Sequence, residues 1–192
     1  MFKTSKLMAA FAVAAVASST VATAQDWPKA KPITFTVAFG AGSSTDIIAR
    51  VVGQKVSESL GQTVVIDNKP GAGGSIGAQL VKRAAPDGYH LLVISVSYAV
   101  NPSLYANAGY DPLLDFMPVA LGPSTPNIIT VHPSVPVNNI QELIALAKSK
   151  PGELNYGSTG IGSGSHLSTE LFMARTGTKM TQVPYRGAPP LV

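Results

Sequence analysis

Short apolar runs suited to strands alternate with stretches of helical periodicity along most of this chain, and no other feature narrows its fold so far. The alternation predicts an α/β architecture with a largely parallel sheet. Residues 33–38 (ITFTVA) read as a first strand. Residues 45–60 read as a first helix whose buried stripe is Ile47, Ile48, Val51, Val52, Val56 and Leu60 and which stops at Gly61. A second strand at 63–67 follows, then a helix capped by Ser75 and running to about Arg83, then a Pro86-Asp87-Gly88 turn into a strong strand at 90–96. A composition break at 122–127 (GPSTPN), with Pro133 and Pro136 beyond it, sets a domain boundary or hinge near residue 125. The pattern then restarts with a strand at 127–131 (NIITV) and a helix at 140–150, capped by Asn139 with Glu142 completing a capping box. A strand at 154–158, a helix at 165–175 and a strand at 179–185 complete it. Only an opening turn follows that last strand, so the second unit is expected to be incomplete.

Residues 1–24 stand apart from this pattern. Lys3 and Lys6 precede an apolar run at 7–16 (LMAAFAVAAV), and Ala22-Thr23-Ala24 offers a peptidase the small residues it needs to cut before Gln25. A membrane-spanning helix requires about 20 apolar residues, whereas Ser18, Ser19 and Thr20 interrupt this run early. The segment reads as a secretory leader, leaving a first domain at 25–124 and a second at 125–192. The formal charge of +4 loses two lysines with the leader, and no basic stripe remains to favour nucleic acid. A chain with 45% hydrophobic and 12% charged residues is not intrinsically disordered. It has no cysteine, hence no disulfide, thiolate metal site or thiol nucleophile, and His90, His132 and His166 are too scattered for metal-ligand spacing.

Two Gly- and Ser-rich turns, each between a strand and a helix, are the candidates for chemistry. In Phe39-Gly40-Ala41-Gly42-Ser43-Ser44-Thr45-Asp46 the glycines admit close approach, and the helix start offers free N–H groups and a dipole that favour an anion. The same residues also suit a plain cap, with Ser44 or Thr45 capping and Asp46 complementing the dipole. Gly40, Gly42 and Asp67 imitate a dinucleotide fingerprint, but Thr45 stands where its third glycine belongs. Gly73-Gly74-Ser75-Ile76-Gly77 matches a nucleophile elbow in letters only, because residues 68–72 separate it from its strand. The second candidate is Gly157-Ser158-Thr159-Gly160-Ile161-Gly162-Ser163-Gly164-Ser165-His166, whose hydroxyls and amides can converge on a carboxylate. No acid is visibly placed to orient His166 toward a serine, so no catalytic residue is assigned. One turn falls in each unit, as a clamp for a small anion requires, with no catalytic group.

Further blocks follow in order: Trp27-Pro28 with Lys31-Pro32-Ile33, 68–77 (NKPGAGGSIG), 85–89 (APDGY), 101–105 (NPSLY), and Tyr110-Asp111-Pro112 with Asp115-Phe116. Glu142-Leu143 through Lys148, Pro151-Gly152, residues 158–166 and Val183-Pro184-Tyr185 continue the series. With these blocks and the first turn, the chain resembles a substrate-binding protein of the tripartite tricarboxylate transporter (Bug, or TctC-like) family over essentially all of 27–190. The resemblance implies a periplasmic-binding-protein-like fold, two α/β domains around a cleft. The second domain is then expected to be incomplete in this chain, since similar proteins continue well past residue 192. It implies a non-enzymatic periplasmic role: capture of a small carboxylate and its delivery to the membrane permease subunits of the transporter. No cofactor, metal or nucleic acid is implied, and the full-length protein is expected to be a monomer. The ligand-binding residues carried over by motif are Phe39, Ala41, Gly42, Ser43, Ser44, Thr45 and Asp46 in the first turn. In the second they are Ser158, Thr159, Gly162, Ser163, Ser165 and His166, with Tyr185 as a third contact. The usual Gly-Gly-Ser/Thr-Thr-Asp turn appears here as Ala41-Gly42-Ser43-Ser44-Thr45-Asp46, and His90 stands where a threonine is usual. The alternative from another class is an exported α/β hydrolase using Ser163 or Ser165 with His166. Citrate, other di- and tricarboxylates, amino acids and aromatic carboxylates all fit the family, so the ligand itself is not legible.

Overall fold

The computed structural model describes residues 26–185, so the leader expected at 1–24 and the final turn lie outside the described residues. β1 (Ile33–Val37) runs through the centre of a three-stranded parallel sheet, flanked by β2 (Val64–Asn68) and β3 (His90–Val93). A central parallel strand is covered on both faces, which is why ITFTV is apolar or β-branched throughout and almost wholly buried. On one face, α1 (Ser44–Leu60) brings Val56 and Leu60 against Ile33, Phe35 and Tyr89, with Leu91 and Val93 of β3. On the other, Leu92 meets Ala78, Tyr98, Ala108, Tyr110 and Phe116. The alternation of Leu91, Leu92 and Val93 between two cores is the period of two expected of a strand. Tyr98 stacks on Tyr110 at 5.5 Å, and Phe116 meets both edge-on at 5.6 and 6.0 Å.

The ends of α1 follow from local chemistry. Ser43, one residue earlier than the expected Ser44 or Thr45, is the N-cap: its Oγ accepts from Asp46 N at 3.2 Å. Gly61, at φ 61°, closes the helix as expected. α2 (Ser75–Lys82) follows a 3-10 turn at Ala72–Gly74. Ser75 does not cap it; Gly74 holds that position, and Ser75 is buried with its Oγ accepting from Asn101 Nδ2 at 3.1 Å. An unanticipated helix, α3 (Ser97–Leu104), contains Pro102. Proline cannot donate to the carbonyl four residues back, and the hydroxyl of Tyr110 donates to that carbonyl, Tyr98 O, at 2.7 Å.

Among the described residues the second unit is smaller. α4 (Ile140–Ser149) buries Leu143 and Ala147 and is capped as expected, Asn139 Oδ1 accepting from Glu142 N at 3.0 Å. β4 (Asn155–Ser158) pairs in parallel with β5 (Thr181–Pro184), and α5 (Gly164–Thr176) joins them. The strand expected at 127–131 does not form: those residues have no strand partner among the described residues, and Ile128 is 81% exposed. A strand needs a neighbour to take up its N–H and C=O groups, so apolar pattern alone does not produce one.

The strand order β2-β1-β3 carries a directional consequence. The chain leaves β1 to one side and returns to its other side, so the crossover reverses between β1 and β3. In open parallel sheets the crevice outside the carboxyl ends of strands at such a point is where ligands bind.

Candidate functional site

The residues at that crevice are the first turn, 39–46, leaving β1, and Ser95 and Ser97 beyond β3. The second turn, 158–166, leaves β4 in the corresponding place. The two turns are alike atom by atom. Gly42 and Gly162 each sit at φ 80°, where a side chain would be strained. Ser43 and Ser163 are both N-caps, with φ −70° and ψ 159° and 162°. Their N–H groups donate to Gly40 O and Gly160 O at 3.2 and 3.1 Å. Their hydroxyls accept from Asp46 N and His166 N at 3.2 and 3.3 Å. Gly42 N donates to Asp46 Oδ2 at 2.9 Å, and Gly162 N donates to His166 Nδ1 at 3.2 Å. The amides of Ala41, Ser44 and Thr45, and of Ile161, Gly164 and Ser165, have no hydrogen-bond partner among the described residues. Two helix starts thus offer matched sets of free donors.

Beneath the first turn, Asp46 is buried and its carboxylate holds three groups. Besides Gly42 N and the Nε of Arg50 at 3.0 Å, it accepts from Asn68 Nδ2 at 2.8 Å, and Asn68 Nδ2 also reaches Phe39 O at 3.0 Å. Its own N–H donates to Ser43 Oγ. Burial alone would push the Asp46 carboxyl up; hydrogen bonds from Arg50, Gly42 and Asn68, with the charge of Arg50, outweigh it and hold the group below the ordinary carboxylate value. The acid is spent on the protein's own donors.

Beneath the second turn, Ser158 is fully buried, its Oγ accepting from Gln182 Nε2 at 2.7 Å and Gly160 N at 3.3 Å. Ser165 Oγ accepts from Thr159 N at 3.1 Å and lies 3.1 Å from Ser163 Oγ. Neither ring nitrogen of His166 bonds a serine hydroxyl; Nδ1 takes Gly162 N, and Nε2 lies 3.7 Å from Glu170 Oε1. Glu170 in turn accepts from Tyr156 OH at 2.7 Å, and burial, that hydrogen bond and the carboxylate's charge raise the Tyr156 hydroxyl well above its usual value. The serine–histidine pairing that a hydrolase would need is not formed. Tyr185 enters only through its backbone, its N–H on Ser158 O at 2.8 Å.

The tip of the second turn meets the first unit at a residue of the 101–105 block that was not carried over as a ligand contact. Asn101, on α3, is fully buried; its Nδ2 donates to Gly73 O at 2.9 Å and to Ser75 Oγ at 3.1 Å. Its Oδ1 has no partner among the described residues. A Cβ on Gly162 would lie 2.5 Å from that Oδ1, and one on Gly73 would lie 2.5 Å from Ile161 O. Tyr105 OH donates to Ile161 O at 3.1 Å. The tip of the second turn therefore rests on the first unit with no side chain between. No lysine or arginine occurs in either turn, so apart from the His166 ring every donor there is a neutral amide or hydroxyl. An open cavity of about 470 Å³ lined by Lys82, Pro102 and residues 105–110 includes neither turn.

Residues 48–192 match the family model described as the tripartite tricarboxylate transporter family receptor, TctC. The chain belongs to this family. BugT of Bordetella pertussis is 41% identical over 165 residues, 85% of this chain and 51% of that protein. Among solved structures, R. palustris Rpa4515 with adipate superposes with a TM-score of 0.81 at 42% identity, over 86% of this chain and 56% of that one. The periplasmic binding protein BugD does so with a TM-score of 0.74 at 35% identity, over 84% and 54%. The chain spans about half the length of the curated relatives it matches. Its α/β architecture is that of the periplasmic solute-binding proteins, and its TctC and Bug relatives are substrate-binding proteins rather than enzymes.

Proposed function

We propose that this TctC-family receptor captures a small carboxylate between residues 39–46 and 158–166 and delivers it, in the periplasm, to the permease subunits of a tripartite tricarboxylate transporter. One observation carries the reading: two helix-start turns of the same build, each following the carboxyl end of a parallel strand, each present three unpartnered amides. Free N–H groups and the macrodipole make each helix start favourable for an anion. The adipate held by a relative that shares 42% of its sequence supports a carboxylate as the anion. In this reading Ala41, Ser44, Thr45, Ser163 and Ser165 supply amides or hydroxyls. Phe39, Gly42, Ser43, Ser158, Thr159 and Gly162 shape the cradle, and Tyr185 closes one side. Residues 1–24 are a cleaved leader, the domains are 25–124 and 125–192 with a hinge near residue 125, and the full-length receptor acts as a monomer without cofactor.

Thermal-shift and calorimetric titration with adipate, malate, citrate, glutamate and benzoate tests the reading. At least one is expected to give saturable heat and a raised melting temperature without product. Ser44→Ala, Thr45→Ala, Ser158→Ala and Ser165→Ala should each weaken that binding by about 0.5 to 3 kcal/mol. Unchanged affinity in all four would place the ligand elsewhere.

A further inference from the structure

The two turns share one plan and differ in one acceptor. Under the first, the amide of the left-handed glycine is held by a carboxylate; under the second, the equivalent amide is held by an imidazole. We propose that Asp46 and His166 are equivalent positioning residues, each bracing its turn from inside without touching ligand, and that the second turn keeps its binding geometry only while His166 is neutral. The proposal rests on reading the turns as the ligand cradle.

The protonation state follows from the hydrogen bond. Gly162 N is a donor, so Nδ1 of His166 must present a lone pair, which leaves the ring proton on Nε2. That Nε2 faces Glu170 Oε1. Protonating Nδ1 sets one N–H against another, and the Gly162 amide loses its partner. The first turn has no such failure in the same range. Asp46 accepts only from donors, Gly42 N, Arg50 Nε and Asn68 Nδ2, so it remains ionised wherever an imidazole titrates.

Around His166 the titratable neighbours among the described residues are few. Glu170 lies on its own helix; Tyr156, from β4, reaches it through Glu170; Tyr105, from α3, bonds the adjacent Ile161 O. Ser163 and Ser165 add only hydroxyls. The Glu170 carboxylate is half-exposed and 3.7 Å away, so solvent screens it. The bond to Gly162 lies in the part-buried turn itself, and its loss is the larger effect. Acidification through the imidazole range should therefore loosen the second turn and weaken ligand binding, while the first turn stays intact.

The test uses the whole chain labelled with 15N. Long-range proton–nitrogen spectra at neutral pH are expected to show His166 with a bare Nδ1, and acidification from about pH 8 to about pH 5 should move the ring and the Gly162 amide together. Calorimetry with adipate over the same range compares the wild type with H166A and with H166D, which copies the acceptor of the first turn. Relative to H166D, which shares the ligand's own titration, the wild type should lose about fivefold or more in affinity at the acid end. H166A should bind poorly at every pH. A ring carrying Nδ1–H at neutral pH would overturn the proposal, as would a wild type and H166D with superimposable pH profiles. If adipate does not bind, the calorimetry uses whichever of malate, citrate, glutamate and benzoate does. If none of the five binds any of the proteins, the ligand-cradle reading fails, and the spectra still decide whether His166 holds Gly162.

Discussion

The first and second units build the same turn on very different foundations. Up to Tyr110 the chain has three strands, helices on both faces and two apolar clusters that between them bury Ile33, Phe35, Tyr89, Ala78, Ala108 and Tyr110. Beyond residue 139 there are two strands, α4 buries Leu143 and Ala147, and α5 buries nothing among the described residues. Yet Gly42 and Gly162, Ser43 and Ser163, and the acceptors at 46 and 166 superpose in dihedral angle and hydrogen bonding. The lesson concerns what shapes a helix-start cradle. A capping serine, a left-handed glycine before it and an acceptor four residues beyond that glycine are sufficient, and the core beneath sets only how firmly the result is held.

The most disruptive way to break this equivalence is Gly162→Ala. The new Cβ meets a positive φ and the Oδ1 of buried Asn101 at once, whereas Gly177→Ala, at φ 65° with nothing within 4 Å, meets only the backbone strain. That strain alone is about 1 to 2 kcal/mol. Gly162→Ala should cost clearly more, read as a larger fall in denaturation midpoint than Gly177→Ala gives. Equal falls would mean that the turn does not rest on Asn101.

Next in size is Asp46→Ala, which strands Gly42 N, Asn68 Nδ2 and the Arg50 guanidinium at once. Hydrogen bonds to a charged group contribute about 1.5 to 3 kcal/mol, discounted here because Arg50 is half-exposed. A loss of about 2 kcal/mol is expected by urea denaturation. The acid limb gives a sign. A carboxyl whose folded pKa is depressed contributes stability that is full above its unfolded value and fades as pH falls through the folded one. Wild type should therefore lose this contribution only below about pH 4, and Asp46→Asn should lack that limb. An acid profile identical in both would remove Asp46 as the brace.

The smallest effect sharpens the comparison most. Ser43→Ala and Ser163→Ala each delete an N-cap, worth about 1 kcal/mol in either place if the turns are local devices. Chemical denaturation of the two variants side by side checks it. A cap loss felt in one unit and silent in the other would show that the surrounding core, and not the turn, sets its worth.

How far the sequence could be read follows the same division between local and distant causes. β1, α1, β2, α2 and β3 were legible because apolar periodicity and Gly61 act within a few residues, and both turns were legible as strand-to-helix glycine and serine clusters. The buried face of α1 was misread: Ile47, Val51 and Val52 of the expected stripe are exposed, and small Ala49 and Gly53 lie buried instead, because a helix packed close on the sheet selects small residues there. α3 was hidden by Pro102, since the hydroxyl that replaces the missing donor belongs to Tyr110, beyond the end of the helix. Residues 127–131 have strand composition and no strand to pair with among the described residues. Ser75 looked like a cap because serine before an apolar run usually is one, yet its hydroxyl serves Asn101. What braces the site was the least legible part. Asn68 under Asp46, Gln182 under Ser158 and Asn101 against the tip of the second turn act across gaps in sequence that no periodicity marks.

The unpaired Oδ1 of Asn101 makes the seat of the second turn sensitive to volume. A buried acceptor with no partner among the described residues costs about 1 to 3 kcal/mol, and a Cβ on Gly162 would lie 2.5 Å from it. The seat therefore tolerates a glycine at 162 and nothing larger, so the closeness of the two units at this point is set by a missing side chain.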